Sequence, residues 1–310
     1  MKFWVGITDH EWYRSLAALA PDEVNFWQPS ASRVPVRLMP GAPFLFKLHS
    51  SRGGQIVGGG FFAHYGTFPI RMAWEAFEQR NGAATLLDMT ARIARYRRGP
   101  IDADTHHIGC FVLVQPVFFP EPDWIAAPAD WAPNVVQGRS FESDAGSGRE
   151  LWDNVRALME RSVVPPFAPT ASIAEDAPRY GPATLVRPRL GQGAFRFVVT
   201  DAYERRCAIT GERTLPVLQA AHIKPFSESG PHQVENGLLL RADLHSLFDR
   251  GYMTVTPDLR TRISRRIREE FENGRDYYAL DSREVRPPTH GFPTPQREYL
   301  EWHGDVVFKG

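Results

Sequence analysis

The sequence predicts an α+β fold in two domains, and three observations support this. The chain has 310 residues, which at roughly 150 residues per domain is enough for two cores. In the first half, strand-like segments are interrupted by single helices and show no repeating βαβ pattern. A stretch rich in proline and alanine, residues 163–183, then leads into a second region with helix and strand signals of its own.

The composition describes a globular chain without net charge. Hydrophobic residues make up 43% of it, and 36 basic residues balance 36 acidic ones, which argues against a surface coated in basic residues. No apolar stretch is long enough to cross a bilayer, and the N-terminus lacks the apolar segment of a signal peptide. Cys110 and Cys207 are too few and too far apart for a disulfide framework. We therefore expect a cytoplasmic protein with no membrane partner.

The first domain, residues 1–163, combines predicted strands with predicted helices. Strand patterns cover Lys2–Thr8, Pro43–His49, Gln55–Phe68 and Ile108–Phe119. Helix patterns cover Asp9–Leu19, Ile70–Gly82, Ala83–Arg98 and Gly146–Ser162. This mixture predicts a compact mixed β-barrel or sheet with helices around it.

Residues 164–184 have the composition of a linker, because proline fixes φ and keeps such a chain semi-extended. The second domain, residues 185–310, begins with a predicted helix and turn over Gly193–Gly211. Arg189 and Arg196 flank the start of this helix. They either bind phosphate or help to cap the helix.

The segment Leu218–Gly251 contains four residues that can form one hydrolytic site: His222, Asn236, His245 and Asp249. His222 ends an apolar run that predicts a strand. The segment VENGLLLR predicts a return strand that opens at Asn236, which can bond to backbone or to a histidine near the turn. The segment ADLHSLFDRG predicts a helix, on which His245 and Asp249 are four residues apart and face the same way. A hairpin packed on this helix would bring the two histidines together across one groove.

Hydrolysis of a phosphodiester needs a base for the attacking water and a cation for the phosphoryl charge. A histidine can be that base because its pKa lies near neutral pH. Taken singly, His222 and His245 are better explained as ordinary core histidines, and Asn236 as a turn residue. The constellation as a whole favours the hydrolytic site.

In this segment, CAITG, AAHIKPFS and NGLLLRADLHSLFDRGYMTV are similar to the HNH endonucleases, whose fold is the ββα-metal finger. The resemblance covers about Arg189 to Val255. It implies that His222 is the general base, that Asn236 positions the loop and that histidine, and that His245 binds a metal. Asp249 falls where some relatives place a further ligand. The implied cofactor is one divalent metal ion, Mg²⁺, Mn²⁺ or another transition metal.

The sequence departs from the family pattern at two places. Many relatives have a metal ligand directly before the base histidine, where this chain has Ala221. Many also carry paired CxxC zinc motifs, whereas here only Cys207 lies near the motif, and we interpret it as a core thiol. Lys224 and Arg241 lie within the motif and join Arg189 and Arg196 as candidate phosphate ligands.

Two aromatic segments of the first domain predict recognition of a base. Asp22–Ser30 carries Asn25, Trp27, Gln28 and Ser30, and a second segment contains Trp131. An aromatic ring surrounded by polar groups can stack on a planar base and bond to its edge. Strand-rich architecture, element order and the N-terminal FWVGIT also resemble the PUA superfamily, including EVE, ASCH and SRA-type domains. This implies capture of a modified, flipped-out base.

Together these observations predict a PUA-like mixed β-barrel domain joined by a Pro/Ala-rich linker to a ββα-metal HNH nuclease domain. The family resemblances imply a modification-dependent restriction endonuclease that cuts DNA carrying 5-methylcytosine or 5-hydroxymethylcytosine. Its partner would be double-stranded DNA, and since one such site cuts one strand, we expect a homodimer. Two alternatives stay open: a toxin-like, non-specific nuclease, and a nucleic-acid-binding protein with a decayed nuclease, which Ala221 favours.

Overall fold

The structure is a computed structural model that describes residues 1–31, 38–97, 99–162 and 190–310. The chain divides into two compact units, Met1–Pro188 and Arg189–Gly310. The predicted linker, residues 164–184, lies outside the described residues. None of the helices in the described part combines the length and the hydropathy that a bilayer crossing needs.

The described residues of the first unit form a six-stranded sheet and four α-helices. Its strands are β1 (Lys2–Thr8), β2 (Glu23–Gln28), β3 (Pro43–Leu48), β4 (Ile56–Pro69), β5 (His107–Phe118) and β6 (Gly138–Glu142). Its helices are α1 (His10–Leu19), α2 (Ile70–Phe77), α3 (Leu86–Arg97) and α4 (Gly146–Ser162). The sheet order is β2-β5-β4-β3-β1-β6, in which β1 and β3 are parallel and the other pairs are antiparallel.

The predicted α+β class is confirmed, but the predicted barrel is not closed in the described residues. Closure requires the first and last strands of the sheet to pair, and here β2 and β6 are its two ends. Side chains on one face of β2 form hydrogen bonds with the 3₁₀ turn Glu78–Asn81. Trp27 Nε1 donates to the Asn81 carbonyl over 3.0 Å, and Asn25 Nδ2 donates to Asn81 Oδ1 over 2.8 Å.

The strands and helices predicted for the first unit lie where the sequence places them, with ends shifted by at most a few residues. The helix α1 begins after Asp9, whose carboxylate accepts the Trp12 backbone N–H over 2.6 Å and so caps the helix. The predicted helix Ile70–Gly82 is shorter as an α-helix, since α2 ends at Phe77 and continues as the 3₁₀ turn. The strand β2 was not predicted, because its polar residues interrupt the apolar alternation.

The second unit consists of short elements around its own core. Its strands are β7 (Leu218–His222), β8 (Gly237–Arg241), β9 (Met253–Val255) and β10 (Thr261–Ile263). Its helices are α5 (Gln192–Ala202), α6 (Ala242–Asp249), α7 (Arg266–Phe271), α8 (Arg275–Tyr278) and α9 (Arg297–Trp302). The core includes Phe195, Leu239, Phe248 and the free thiol of Cys207, all fully buried. Cys207 is therefore a core residue, as expected.

Candidate active site

The HNH-like segment forms an antiparallel hairpin followed directly by a helix. In the hairpin His222 pairs with Gly237 and Leu218 pairs with Arg241, and α6 begins at the next residue. Ala221 is fully buried in the apolar core, whereas His222 is half-buried. Because side chains alternate along a strand, this register places the imidazole at the end of β7 outside the core. The predicted ββα arrangement is therefore present.

Asn236 closes the loop between the two strands. Its Oδ1 accepts the Lys224 backbone N–H over 2.8 Å. Its Nδ2 donates to the carbonyl oxygens of Lys224 and Pro231, over 2.8 Å and 3.0 Å. The residue is fully buried, so these bonds replace the water that the amide loses. Asn236 thus holds the loop between β7 and β8 together.

The ring of His222 is held between two other rings. It stacks on Phe195 of α5 with centroids 3.8 Å apart and an interplanar angle of 12°. Its Nε2 lies 2.9 Å from Nδ1 of His232. The pKa of His222 is lowered to about 4. The larger cause is burial, and the smaller one is the repulsion between a protonated His222 and the rings of His232 and His245. The ring is therefore neutral at neutral pH, the form that can accept a proton.

His245 and Asp249 face the same way from α6. His245 Nε2 lies 3.3 Å from Asp249 Oδ2, and His245 Nδ1 lies 2.8 Å from Gln219 Oε1 on β7. An amide oxygen only accepts, so Nδ1 carries the hydrogen and Nε2 keeps its lone pair when the ring is neutral. Burial raises the pKa of the Asp249 carboxyl, and the neighbouring His245 opposes that shift.

One cleft of about 490 Å³ brings His222, His245 and Asp249 together. Asn236 is not among the residues that line this cleft. The other residues that line the cleft come from α5, β7, the loop after β7 and the C-terminal segment: Gln192, Phe195, Arg196, Gln219, Ala220, Ile223, Pro225, Phe226, His303 and Val307.

Two donor groups of the cleft fit a divalent metal. Within the described ranges, no group of three His, Cys, Asp or Glu side chains lies close enough to hold a metal ion. His245 Nε2 and Asp249 Oδ2 do fit as a pair: they are an imidazole and a carboxylate, 3.3 Å apart, at the edge of an open cleft. The hydrogen bond from Nδ1 to Gln219 is the outer contact that ligating histidines usually have. Ala221 faces the core, so this position supplies no ligand.

The four candidate phosphate ligands differ in their surroundings. Arg196 is exposed and lines the cleft. Lys224 Nζ lies 5.5 Å from the centroid of the Trp302 ring. Arg241 Nε donates to Asp243 Oδ1 over 2.9 Å, so its charge is already paired. Arg189 lies outside the described residues.

The five residues predicted to form a base pocket are only partly brought together. Trp27, Gln28 and Ser30 line a cleft of about 340 Å³ in the first unit, together with Tyr96 and Arg97. Asn25, also on β2, is fully buried, and its Nδ2 donates to Asn81 Oδ1. Trp131 is elsewhere in the unit: its ring stacks on Phe141 with centroids 6.1 Å apart and lies 4.8 Å from Lys47 Nζ. Neither Asn25 nor Trp131 is among the residues that line this cleft.

Gln28 is the most unusual residue of this second cleft. Only 4% of its surface is exposed, and neither Oε1 nor Nε2 has a hydrogen-bond partner among the described residues. Burying an amide without partners costs a few kcal/mol. The adjacent Trp27 ring is half-buried and lies 6.3 Å from the Tyr96 ring, which is more than half exposed.

Sequence reasoning missed several residues that complete these clefts, among them His232, Gln219, Phe195 and Tyr96. His232 stands in a polar loop, where a histidine carries no periodic signal. Gln219 lies three residues before His222 in the apolar run, and this lone polar residue in a strand was the one available signal. Phe195 reads as an ordinary core residue of a helix.

Comparison with known proteins identifies one segment of the chain. Residues 207–256 match the sequence model of a family described as HNH endonuclease, which confirms the resemblance inferred from the motif. No curated protein matches the sequence.

Several solved structures are similar to the chain. Two point variants of the ZmASCH protein from Zymomonas mobilis are 12% and 9% identical to it, with TM-scores of 0.34 and 0.33. Each match covers 49% of this chain, and 98% and 94% of theirs. The modification-dependent TagI restriction endonuclease is 15% identical over 92% of this chain and 75% of its own, with a TM-score of 0.27.

Proposed function

We propose, starting from the HNH endonuclease match over residues 207–256, that the chain is a modification-dependent restriction endonuclease. It hydrolyses phosphodiester bonds in DNA that contains 5-methylcytosine or 5-hydroxymethylcytosine. The observation that carries the nuclease proposal is the cleft in which His222, from the matched hairpin, meets His245 and Asp249, from the matched helix. A base and a pair of metal ligands are thus available at one opening.

His222 accepts the proton of the attacking water. Its neutral ring has a lone pair at neutral pH, and the stack on Phe195 fixes its orientation. The pKa near 4 makes the unliganded ring a weak base. A bound phosphodiester brings negative charge to the cleft, which favours the protonated ring and so strengthens the base when substrate is present.

His245 Nε2 and Asp249 Oδ2 would hold the divalent metal, and Gln219 keeps the histidine in the tautomer that can ligate. When bound, such an ion neutralises charge on the phosphoryl group and on the leaving oxygen. Arg196 lies at the same cleft and can bind a flanking phosphate. Lys224 is a second candidate, whereas Arg241 would first have to leave Asp243.

The nuclease proposal is tested with His222→Ala. Plasmids that carry cytosine, 5-methylcytosine or 5-hydroxymethylcytosine are incubated in turn with Mg²⁺, Mn²⁺ or Ni²⁺, and nicked and linear products are quantified. Loss of the base should lower the cleavage rate by at least about a hundredfold, while DNA affinity, measured by fluorescence anisotropy, stays unchanged.

The matched control is His290→Ala, since His290 is an exposed histidine of the same unit; it should cut at the wild-type rate. Cleavage by His222→Ala at the wild-type rate would refute the assignment. Absence of cleavage by the wild-type chain under all conditions would favour a binding protein with a decayed nuclease. If two copies of the chain cut the two DNA strands together, linear plasmid should form without a nicked intermediate.

We propose that the cleft of the first unit, which Trp27, Gln28 and Tyr96 line, recognises the modified base. The buried amide of Gln28 offers one donor and one acceptor that the described residues leave unpartnered. The Watson–Crick edge of cytosine has an acceptor next to a donor, so one amide can bond to both. The aromatic side chains of Trp27 and Tyr96 can contact the face of a flipped base.

Gln28→Leu tests this assignment because leucine keeps a similar volume and removes both hydrogen-bonding atoms. We expect the preference for modified over unmodified plasmid to fall between about tenfold and a hundredfold, the effect of losing one bidentate contact to a base. Gln79→Leu, an exposed glutamine outside the cleft, should keep the preference. Equal cutting of all plasmids by the wild-type chain would favour the non-specific nuclease.

A further inference from the structure

His232 makes the only hydrogen bond found in the described residues for the ring of His222. The two imidazoles contact through His222 Nε2 and His232 Nδ1, 2.9 Å apart, with the rings inclined by 63°. Between two neutral imidazoles such a bond requires one ring to donate and the other to accept. The direction of this bond therefore fixes which nitrogen of His222 carries a hydrogen.

His232 is itself held in place from two sides. Its ring stacks on Phe226 with centroids 4.6 Å apart and an interplanar angle of 8°. Pro231, the preceding residue, accepts the 3.0 Å hydrogen bond from Asn236 Nδ2. The buried asparagine thus fixes the chain next to His232, and His232 in turn contacts His222.

The two histidines occupy different positions relative to the cleft. His222 lines it together with His245 and Asp249, whereas His232 is not among its described lining residues. His232 therefore contacts the proposed base from outside the set of residues that line the cleft. This is the arrangement of a group that acts through another residue.

We propose that His232 is the positioning residue of the general base, an inference that rests on the proposed nuclease function. In this arrangement His222 Nε2 donates its hydrogen to His232 Nδ1, and His222 Nδ1 holds the lone pair that takes the proton from water. After the transfer His222 is an imidazolium whose Nε2–H still donates to His232. In the opposite tautomer, Nδ1 of His222 carries the hydrogen and cannot accept another.

Two substitutions separate the hydrogen bond from the bulk of the side chain. His232→Asn keeps a polar atom on Cγ, where Nδ1 is attached in histidine. His232→Leu has similar bulk and no polar atom. We expect His232→Leu to lower kcat between about tenfold and a hundredfold with KM within about twofold, and His232→Asn to recover most of the loss. His290→Leu, at an exposed histidine of the same unit, should leave both constants unchanged.

The tautomer is measured directly by the ring ¹⁵N chemical shifts of histidine-labelled, full-length protein at neutral pH. We expect His222 in the wild type to show a protonated Nε2 and a bare Nδ1, and His232→Leu to show a mixture of tautomers. This readout needs no cleavage, so it stands even if the nuclease proposal fails. A wild-type His222 with its hydrogen on Nδ1, or unchanged kcat in a folded His232→Leu, would overturn the inference. If His232→Leu does not fold, the wild-type spectrum and His232→Asn decide.

Discussion

At the scale of single residues, Asn236 and His303 show how buried polar groups are stabilised in the second unit. Asn236 is fully buried and uses both amide hydrogens and its oxygen on the backbone of one loop. An aspartate there would place a carboxylate beside two carbonyl oxygens, which repel it. His303 is also buried, with Nδ1 2.8 Å from Thr254 Oγ1 and Nε2 3.1 Å from the Phe248 carbonyl.

Burial lowers the pKa of His303 to about 4, against 6.5 for the ordinary group. The unfolded chain therefore binds a proton below about pH 6.5 that the folded chain does not bind. The contribution of the neutral ring to the free energy of unfolding is fully present above about pH 6.5 and is lost as the pH falls toward about 4. Between about pH 7 and about pH 5, His303 should cost the second unit about 2 kcal/mol of unfolding free energy.

Urea unfolding of the wild type and of His303→Gln at these two pH values measures this cost. Glutamine keeps a hydrogen-bonding side chain and cannot be protonated. The lowered pKa of His222 also reduces stability at low pH, but His222 is present in both proteins. The difference between their losses of unfolding free energy therefore reports on His303 alone. An equal loss of stability in wild type and variant would contradict the prediction. The exposed His290 provides the control substitution.

At the scale of elements, the site depends on the register of one hairpin and on the spacing within one helix. Pairing of His222 with Gly237 puts Ala221 in the core and the imidazole outside. A shift by one residue would exchange the two faces of the strand. On α6, Leu244 and Phe248 are buried, while His245 and Asp249, each one residue further on, line the cleft.

Close packing of α5 on the hairpin also requires a glycine at one position. A Cβ on Gly237 would lie 2.6 Å from Val199 Cγ2 and 3.1 Å from the Phe195 ring. Phe195 is the residue that stacks on His222. Gly237 therefore lets the helix approach closely enough for this stack to form.

At the scale of the whole molecule, each hydrophobic cluster found among the described residues contains side chains of a single unit. The core of the second unit contains buried residues between Phe195 and Leu300. The two main clusters of the first unit contain buried residues between Phe3 and Leu158.

This separation predicts that destabilising one core leaves the other intact. Leu239→Ala and Phe44→Ala remove fully buried side chains from the second and first units, each at a cost of about 2–5 kcal/mol. Native-state hydrogen exchange of the full chain should show faster exchange only in β7–β10 for Leu239→Ala, and only in β1–β6 for Phe44→Ala. Faster exchange in both units from either substitution would contradict the prediction.

The sequence by itself determined the local features. Apolar periodicity located β1, β3, β4 and β5, and capping by Asp9 located the start of α1. The four-residue spacing of His245 and Asp249 placed both on one helix face, and the segments around these residues resemble the HNH endonucleases. These features depend on neighbours along the chain, which a pattern records directly.

Only the tertiary structure decided which distant groups meet. It placed His232 against His222, Gln219 against His245, and the unpartnered amide of Gln28 in a cleft, while it kept Trp131 away from that cleft. The strand β2 escaped prediction because its buried Glu23 and Asn25 are paired with Arg80 and Asn81 from another element. Periodicity reports which face of an element is apolar. The path of a loop and the burial of a polar group depend on the packing of the whole domain.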